Sequence, residues 1–420
     1  MTSRRSFLSA LPALALTPRF AAARDEDEPA RAGPGVTLRA ITRSPNKFHW
    51  FGYYDKQQFD PTGRFVLGME VDFEHRSPRP DDRIRVGMVD LQEGDRWIEL
   101  GTTRAWNWQQ GCMLQWLPGA ESTILWNDRE HDRFVCHLMD VRTRQRRTIP
   151  HPVYTVSPDG RWGIAPDFRR LNDCRPGYGY AGIPDPNRDV LVPDDVGIQR
   201  INLTTGEAKL VVTIRQAAEI PYEPGYSAGA KHWFNHLLFN PDGSRFIFLH
   251  RWRGQAEGTS FSTRMFTAAA DGSDFFVLDP LGKTSHFIWR DRDHVCAFAF
   301  HPSRQNRFYL FKDKTREVEP VGPDVMTVNG HNTYLPGTHN QWILNDTYPD
   351  RDNYQNVYLY NVVSGRRLPL ASLRSEPPYR GEWRCDTHPR SSRDGRLVCV
   401  DSPHAGGRQM YLLQLPPLDA

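Results

Sequence analysis

Apolar runs of strand length are interrupted seven times along this chain by a turn rich in Gly, Pro or Asp, and each time a second apolar run follows. The turns are Asp60-Pro61-Thr62-Gly63, Leu117-Pro118-Gly119, Ser157-Pro158-Asp159-Gly160, Asn240-Pro241-Asp242-Gly243, Arg290-Asp291-Arg292-Asp293, Leu335-Pro336-Gly337 and Ser392-Arg393-Asp394-Gly395. Pro presets φ at the first central position and Gly supplies the positive φ that closes a turn, so each cluster predicts a hairpin connection. Most recur at intervals of about 40 to 58 residues, the length of one four-stranded propeller blade. The pattern predicts an all-β fold, a seven-bladed β-propeller.

The runs that follow supply the inner strands: residues 65–70 then 85–91, 123–126 then 134–141, and 246–250 then 264–270. Residues 308–312, 357–363 and 409–415 are third strands by position. The last blade ends without a fourth strand, and residues 35–42 alternate like one, so an N-terminal strand is expected to complete that blade, close the ring and remove an exposed edge. Residues 24–34, rich in Asp, Glu, Pro, Ala and Gly, are expected to be a disordered leader. The interval from Gly160 to Gly243 is too long, at about 83 residues. Its excess contains Arg175-Pro176-Gly177-Tyr178-Gly179-Tyr180-Ala181-Gly182-Ile183-Pro184-Asp185-Pro186, which predicts an ordered excursion of blade three near the channel mouth. A degenerate eighth blade is the competing reading.

The 420 residues would ordinarily suggest two or three domains, but a closed ring uses such a length as one, here 35–420. Ser3-Arg4-Arg5-Ser6-Phe7-Leu8, the apolar stretch after it and Ala21-Ala22-Ala23 look like a twin-arginine export signal over 1–23, which predicts a periplasmic or secreted protein. The apolar stretch is too short to span a bilayer, so no membrane anchor is expected. Without that segment Lys plus Arg fall from 53 to 50, equal to the 50 acids. A near-neutral protein has no global field for nucleic acid, so affinity for an acidic partner must be local to a cleft. The six cysteines show no CxxC spacing; Cys385 and Cys399 flank the last turn and are compatible with either a thiol pair or a disulfide. A monomer is expected.

Propeller topology sorts the chemistry. The connections between blades and those between second and third strands share one face, whereas the Pro/Asp/Gly turns share the other. At the starts of successive inner strands on the first face stand Tyr53, Tyr54, Asp55 and Lys56; Gln109 and Gln110; Tyr154; Asn235 and His236; Ser285 and His286; Asn329 and His331; and Arg384, Cys385, Asp386 and His388. The other connections add Asn127, Asp128, His250, Arg251, His301, Asn345, Asp346, Asp401 and His404. Of 15 histidines only His137, His294 and His339 fall clearly elsewhere. A lone strand histidine is most often a structural residue. Four at equivalent positions of four consecutive blades, His236, His286, His331 and His388, are instead expected around one axis at an open channel mouth.

Imidazoles of this set, with the Asp386 carboxylate or an amide such as Gln110, suit a divalent cation, Mn, Zn or Ca; no organic cofactor is expected. The chemistry that uses such a set is β-elimination from a uronate. The C5 proton becomes acidic only when the neighbouring carboxylate is neutralised; a base then removes it while an acid protonates the leaving oxygen. Here His286 or His236 is the expected base, Tyr154 or Tyr54 the acid, and Arg384, Lys56, Gln110, Asn235 and Asn329 neutralise and orient an acidic oligo- or polysaccharide. No GxSxG elbow, P-loop, HExxH or GxGxxG stands in a supporting context. Glycoside hydrolysis is the enzymatic rival, although its carboxylates are unpaired in the sequence. A non-catalytic periplasmic propeller that binds glycan or protein is the other alternative.

The segment Arg384-Cys385-Asp386-Thr387-His388-Pro389-Arg390-Ser391-Ser392-Arg393-Asp394-Gly395, continuing to Asp401-Ser402-Pro403-His404-Ala405-Gly406-Gly407-Arg408-Gln409-Met410-Tyr411, resembles the closing blade of the propeller polysaccharide lyases, among them oligogalacturonate lyase, ulvan lyases and rhamnosyl-glucuronate-active propellers. By blade order the resemblance implies His286 as the base and His331 and His388 as metal ligands. The sequence departs from the oligogalacturonate lyase pattern at Asp386, where another histidine is expected, and at Trp383, where a glutamine is expected.

Overall fold

Four of the seven turns close in the same way. Gly63, Gly160, Gly243 and Gly395 have φ near 70°, and each donates its N–H to the carbonyl three residues back, at Asp60, Ser157, Asn240 and Ser392. Only glycine adopts that conformation without a Cβ penalty. In the computed structural model, which describes residues 28–258 and 260–418, all seven predicted turns join the first and second strands of a blade.

Seven small antiparallel sheets form the ring. Blade one is Phe48–Trp50, Phe65–Val71, Ile84–Asp90 and Arg96–Thr103. Blade two is Gln115–Trp116, Thr123–Glu130, Arg133–Asp140 and Arg146–Ile149. Blade three is Thr155–Val156, Trp162–Ala165, Gly197–Asn202 and Ala208–Thr213. Blade four is Lys231–Phe239, Arg245–Arg253, Ser262–Ala269 and Phe276–Asp279. Blade five is Phe287–Trp289, His294–His301, Gln305–Lys312 and Val318–Pro320. Blade six contains Thr333–Tyr334, Trp342–Asn345, Tyr354–Asn361 and Arg367–Arg374. Blade seven contains Arg390–Ser391, Leu397–Ser402 and Gln409–Gln414.

The N-terminal strand Thr37–Ala40 pairs with Gln409–Gln414 and completes blade seven, as expected. The leader expectation is corrected in part. Ala30–Ala32 pairs with Arg367–Arg374 as a fifth strand of blade six, because the rim of that blade offers free ladder groups to a passing chain. The rest of the leader through residue 27, and the export signal, lie outside the described residues.

The core lies between blades. Ile247, Leu249 and Met265 of blade four pack with Phe287, Val295 and Phe311 of blade five, each contributing about 1.5 to 3 kcal/mol by burial. The long interval belongs to blade three, and the described residues form no eighth sheet. After Trp162–Ala165 comes the helix Phe168–Cys174, capped by the Asp167 carboxylate, which accepts from Arg169 and Arg170 N–H. Buried Arg170 fastens this insertion, donating to Asp185 Oδ2 at 3.2 Å and to the carbonyls of Asn187, Leu191 and His232 at 2.8 to 3.0 Å. All six cysteines are buried and free, and Cys399 stands opposite Arg390 rather than Cys385.

Candidate active site

The innermost strand of blade one is broken. After Trp50 the chain leaves the ladder and rejoins it at Phe59, bridged to Val66. The Asp401 carboxylate holds the detour, accepting from Phe51 and Gly52 N–H at 3.2 to 3.3 Å, and is itself paired with Arg390 at 2.9 Å. Gly52 has φ 99°, and a Cβ there would come within 2.8 Å of the Gln110 backbone, so only glycine lets this detour approach blade two. The detour carries Tyr53, Tyr54, Asp55 and Lys56 into the channel.

The ring brings His236, His286, His331 and His388 together. Ring centroids are 4.0 Å apart for His286 and His331 and 4.2 Å for His331 and His388, while Tyr53 and Tyr54 each touch His236, His331 and His388. His236 sits at a bulge in its strand with φ 53°, and His388 has φ 40°. Left-handed backbone at a non-glycine residue costs about 1 to 3 kcal/mol and persists where surrounding structure holds it, commonly at functional sites.

Hydrogen bonds separate the roles of the four rings. His286 Nδ1–H donates to Asn329 Oδ1 at 3.1 Å, which leaves the Nε2 lone pair free, and Asn329 is fixed in turn by Ser285. Burial, reinforced by His331 and His236, holds His286 well below the ordinary imidazole range, so it is a neutral base near neutral pH. His236 has no free nitrogen. Tyr54 commits its proton to the Phe287 carbonyl at 2.8 Å, so it accepts from His236 Nε2–H, while Tyr53 O–H donates to Nδ1, both at 3.3 Å. The His236 ring also lies flat on Phe287 at 4.0 Å.

His331 and His388 differ from both. Asp346 is the hub that orients them: its carboxylate accepts from His331 N–H at 2.6 Å, His331 Nδ1–H at 3.0 Å, Thr387 Oγ1–H at 2.6 Å and His388 N–H at 3.1 Å. Gly330 permits this, because a Cβ there would lie 1.9 Å from the Asp346 carbonyl oxygen. The Nε2 atoms of His331 and His388 are buried without a hydrogen-bond partner, and together with an Asp386 oxygen they offer three ligand atoms within 4.8 Å of one another. Two orphaned imidazole nitrogens beside a carboxylate fit a divalent cation, with the nitrogen share favouring Mn or Zn over Ca. Asp346 fixes the imidazole tautomer as carboxylates do behind metal-bound histidines.

Several expected contributors are tied into the framework. Lys56 Nζ is 2.9 Å from Asp55, both side chains are essentially sealed, and the ammonium rests 4.7 Å over the Tyr154 ring. Burial lowers the Lys56 pKa and Asp55 recovers only part of it, so this lysine is a partner for Asp55 rather than for a substrate. Tyr54 is a strut to blade five, accepting from Phe287 N–H as well as donating to its carbonyl. Asn235 is buried and accepts the His236 N–H at 2.8 Å. Gln110 donates to Tyr154 Oη at 2.7 Å and leaves its buried Oε1 without a partner. Arg384 donates to Asp386 at 2.8 Å and to Tyr178 Oη of the blade-three insertion, also at 2.8 Å.

The open mouth expected for this cluster is corrected: His286 is the most exposed of the four rings at 6%. Arg384 and Tyr178 close over Asp386, and a cavity of about 180 Å³ lies on the insertion side, lined in part by Asn172, Gly177 and Glu382. A larger cavity of about 880 Å³ lies on the opposite face between blades six and seven and includes none of these residues.

A search of solved structures matches an oligogalacturonate lyase in complex with manganese at TM-score 0.65 and 16% identity, over 92% of this chain and 96% of that one. An oligogalacturonate lyase from Vibrio parahaemolyticus matches at 0.63 and 14%, over the same shares. The fold is that of the oligogalacturonate lyases. At such identity the likeness concerns architecture. No protein-family model matches the chain, and no curated protein matches it.

Asp386→Ala and His331→Ala should each abolish retention of a divalent cation through desalting, read by elemental analysis after loading with Mn or Zn; retention equal to the wild type would remove the triad as the site. Away from the axis, His232 Nδ1 and His250 Nε2 share a hydrogen bond at 2.8 Å. Burial holds His232 down to about 4 and His250 well below the ordinary range. Below about pH 6.5 the unfolded chain takes up these protons and the folded one does not, so stability is complete above that pH and is lost on acidification toward pH 4, each group contributing about 1.4 kcal/mol per pH unit. Replacing both by Gln should flatten denaturant midpoints measured from pH 7 to 4; an unchanged slope would remove the pair from the pH dependence.

Proposed function

We propose that the protein is a lyase that cleaves a uronate-containing oligo- or polysaccharide by β-elimination. The observation that carries the reading is the free Nε2 of neutral His286, 4.0 Å ring to ring from a histidine of the cation triad. Oligogalacturonate lyase is the activity named for the two structures of the same fold.

In this reading His286 Nε2 takes the C5 proton, the C4–O bond breaks as a C4–C5 double bond forms, and the leaving oxygen takes a proton from the protein. Tyr53 is the best-placed donor, because its hydroxyl proton rests on an imidazole rather than on backbone, and its ring touches His331 and His388. This replaces Tyr54, whose proton is committed to Phe287, and Tyr154, whose ring makes none of these histidine contacts. Arg384 neutralises the substrate carboxylate from the insertion side once Tyr178 releases it. A divalent cation held by His331, His388 and Asp386 would withdraw charge from that carboxylate and acidify the C5 proton. Export to the periplasm, expected from the N-terminal segment, would place the enzyme where such glycans are encountered.

Incubation with a panel of oligouronates, followed by the ultraviolet absorbance of the unsaturated product, tests the reading. Absorbance should rise with at least one member. New reducing ends without absorbance would make the protein a hydrolase, and neither signal would leave a binding propeller.

A further inference from the structure

At the end of the second strand of blade four, Arg251 is 6% exposed, and its Nε and Nη1 are buried without a hydrogen-bond partner. Its guanidinium lies 4.8 Å from the ring centre of Phe261. Arg175, which ends the insertion helix, lies 4.7 Å from the same ring and 3.8 Å from the ring of Tyr178. Arg253 approaches Phe261 to 6.0 Å. Among the described residues no carboxylate forms an ion pair with Arg175 or Arg251, whereas every cationic side chain assigned to the site, Lys56 and Arg384, has its own aspartate.

A guanidinium removed from water with two of its nitrogens unpaired is strongly unfavourable, more so than a cation–π contact offsets. The surrounding aromatic rings attract the guanidinium only weakly and leave its charge unneutralised. Nε–H and Nη1–H are charge-assisted donors, and a carboxylate oxygen satisfies such a donor while neutralising the guanidinium. Tyr178 connects the two places directly: its ring packs on Arg175 and its hydroxyl accepts from Arg384, which reaches Asp386 of the triad. We infer that Arg251, with Arg175 beside it over Phe261, forms a second carboxylate subsite, which receives the uronate of the sugar next to the one at the histidine cluster. The inference rests on the elimination reading for its choice of ligand. It makes the substrate at least a disaccharide with acids on adjacent sugars, and makes the insertion that carries Arg175 and Tyr178 a determinant of substrate length.

The test is the melting temperature of the full chain and of Arg251→Met, alone and with acetate, galacturonate, digalacturonate or sulfate. Without additive, Arg251→Met should melt several degrees higher than the wild type, because an unpaired buried charge is replaced by a side chain that packs on Phe261. Digalacturonate should raise the wild-type melting temperature more than galacturonate does and leave Arg251→Met unmoved; on turnover the variant should raise KM about tenfold or more with little change in kcat. A lower melting temperature for Arg251→Met, equal ligand shifts in both proteins, or a response to sulfate alone would overturn the subsite. If digalacturonate binds through Arg251 and no unsaturated product forms, the lyase reading fails and the subsite stands. If elimination proceeds with an unchanged KM in Arg251→Met, the subsite fails and the lyase reading stands.

Discussion

His286→Ala is expected to lower kcat for elimination by about a hundredfold to ten-thousandfold, the usual contribution of a positioned general base, with the circular dichroism spectrum and the melting temperature close to those of the wild type. The ring sits at the inner edge of blade five, is held by a single hydrogen bond to Asn329, and packs against other polar rings rather than in the apolar clusters between blades. The pH profile carries the same signature. Because burial depresses the His286 pKa well below the ordinary imidazole range, the base stays unprotonated through pH 6.5, and the acidic limb of kcat/KM should fall only well below that. Asn329→Ala should keep the base but lose the tautomer, lowering kcat less than His286→Ala does. A full rate in His286→Ala would transfer the base to another group. His236→Ala should also reduce turnover, but by a different route: it removes the acceptor for Tyr53 and the stack on Phe287, so it should destabilise the fold as well.

The second large effect is expected at Asp346, and it falls on stability. Its carboxylate is buried and takes hydrogen bonds from two backbone N–H groups, the His331 ring and the Thr387 hydroxyl, joining blade six to blade seven. Asp346→Ala leaves these donors unpaired inside the protein, where breaking a buried charged network costs about 3 to 5 kcal/mol. Denaturant unfolding should show that loss, and cation affinity in the fraction that folds should fall about 10- to 100-fold as His331 loses its orienting partner. Asp346→Asn keeps part of the acceptor capacity and should lie between. Stability within 1 kcal/mol of the wild type in Asp346→Ala would show that the hub is not what joins the blades.

Asp346 also marks where reading the sequence stopped. The turns, the blade count, the closing strand and the face on which His236, His286, His331 and His388 meet follow from local chemistry repeated at blade spacing, and sequence displays local chemistry directly. Asp346 stood in the right connection without a role, because its partners come from blade six and the start of blade seven and depend on the approach that Gly330 allows. The same holds for Lys56. Its charge is visible in the sequence, but its orientation toward the preceding Asp55 depends on the detour in blade one, which Asp401 holds from about 350 residues away. Tyr54 looked like an acid and is a strut, since the Phe287 backbone that takes its proton lies in another blade. Ala30–Ala32 looked like leader because the strand it pairs with, at the rim of blade six, lies near the other end of the chain. Arg251 was visible on the functional face, but its missing partner is a property of the folded protein alone.

The reaction class is decided most directly by product masses after complete cleavage of a defined oligouronate in heavy-oxygen water. Elimination splits the substrate into fragments whose masses sum to that of the substrate, with no heavy oxygen incorporated by the cleavage and a double bond at the new non-reducing end, and this is the outcome the four gathered imidazoles predict. Fragments that together exceed the substrate by the mass of one heavy water for each bond cut would show hydrolysis, and would contradict the assignment of His286 as a base acting on carbon.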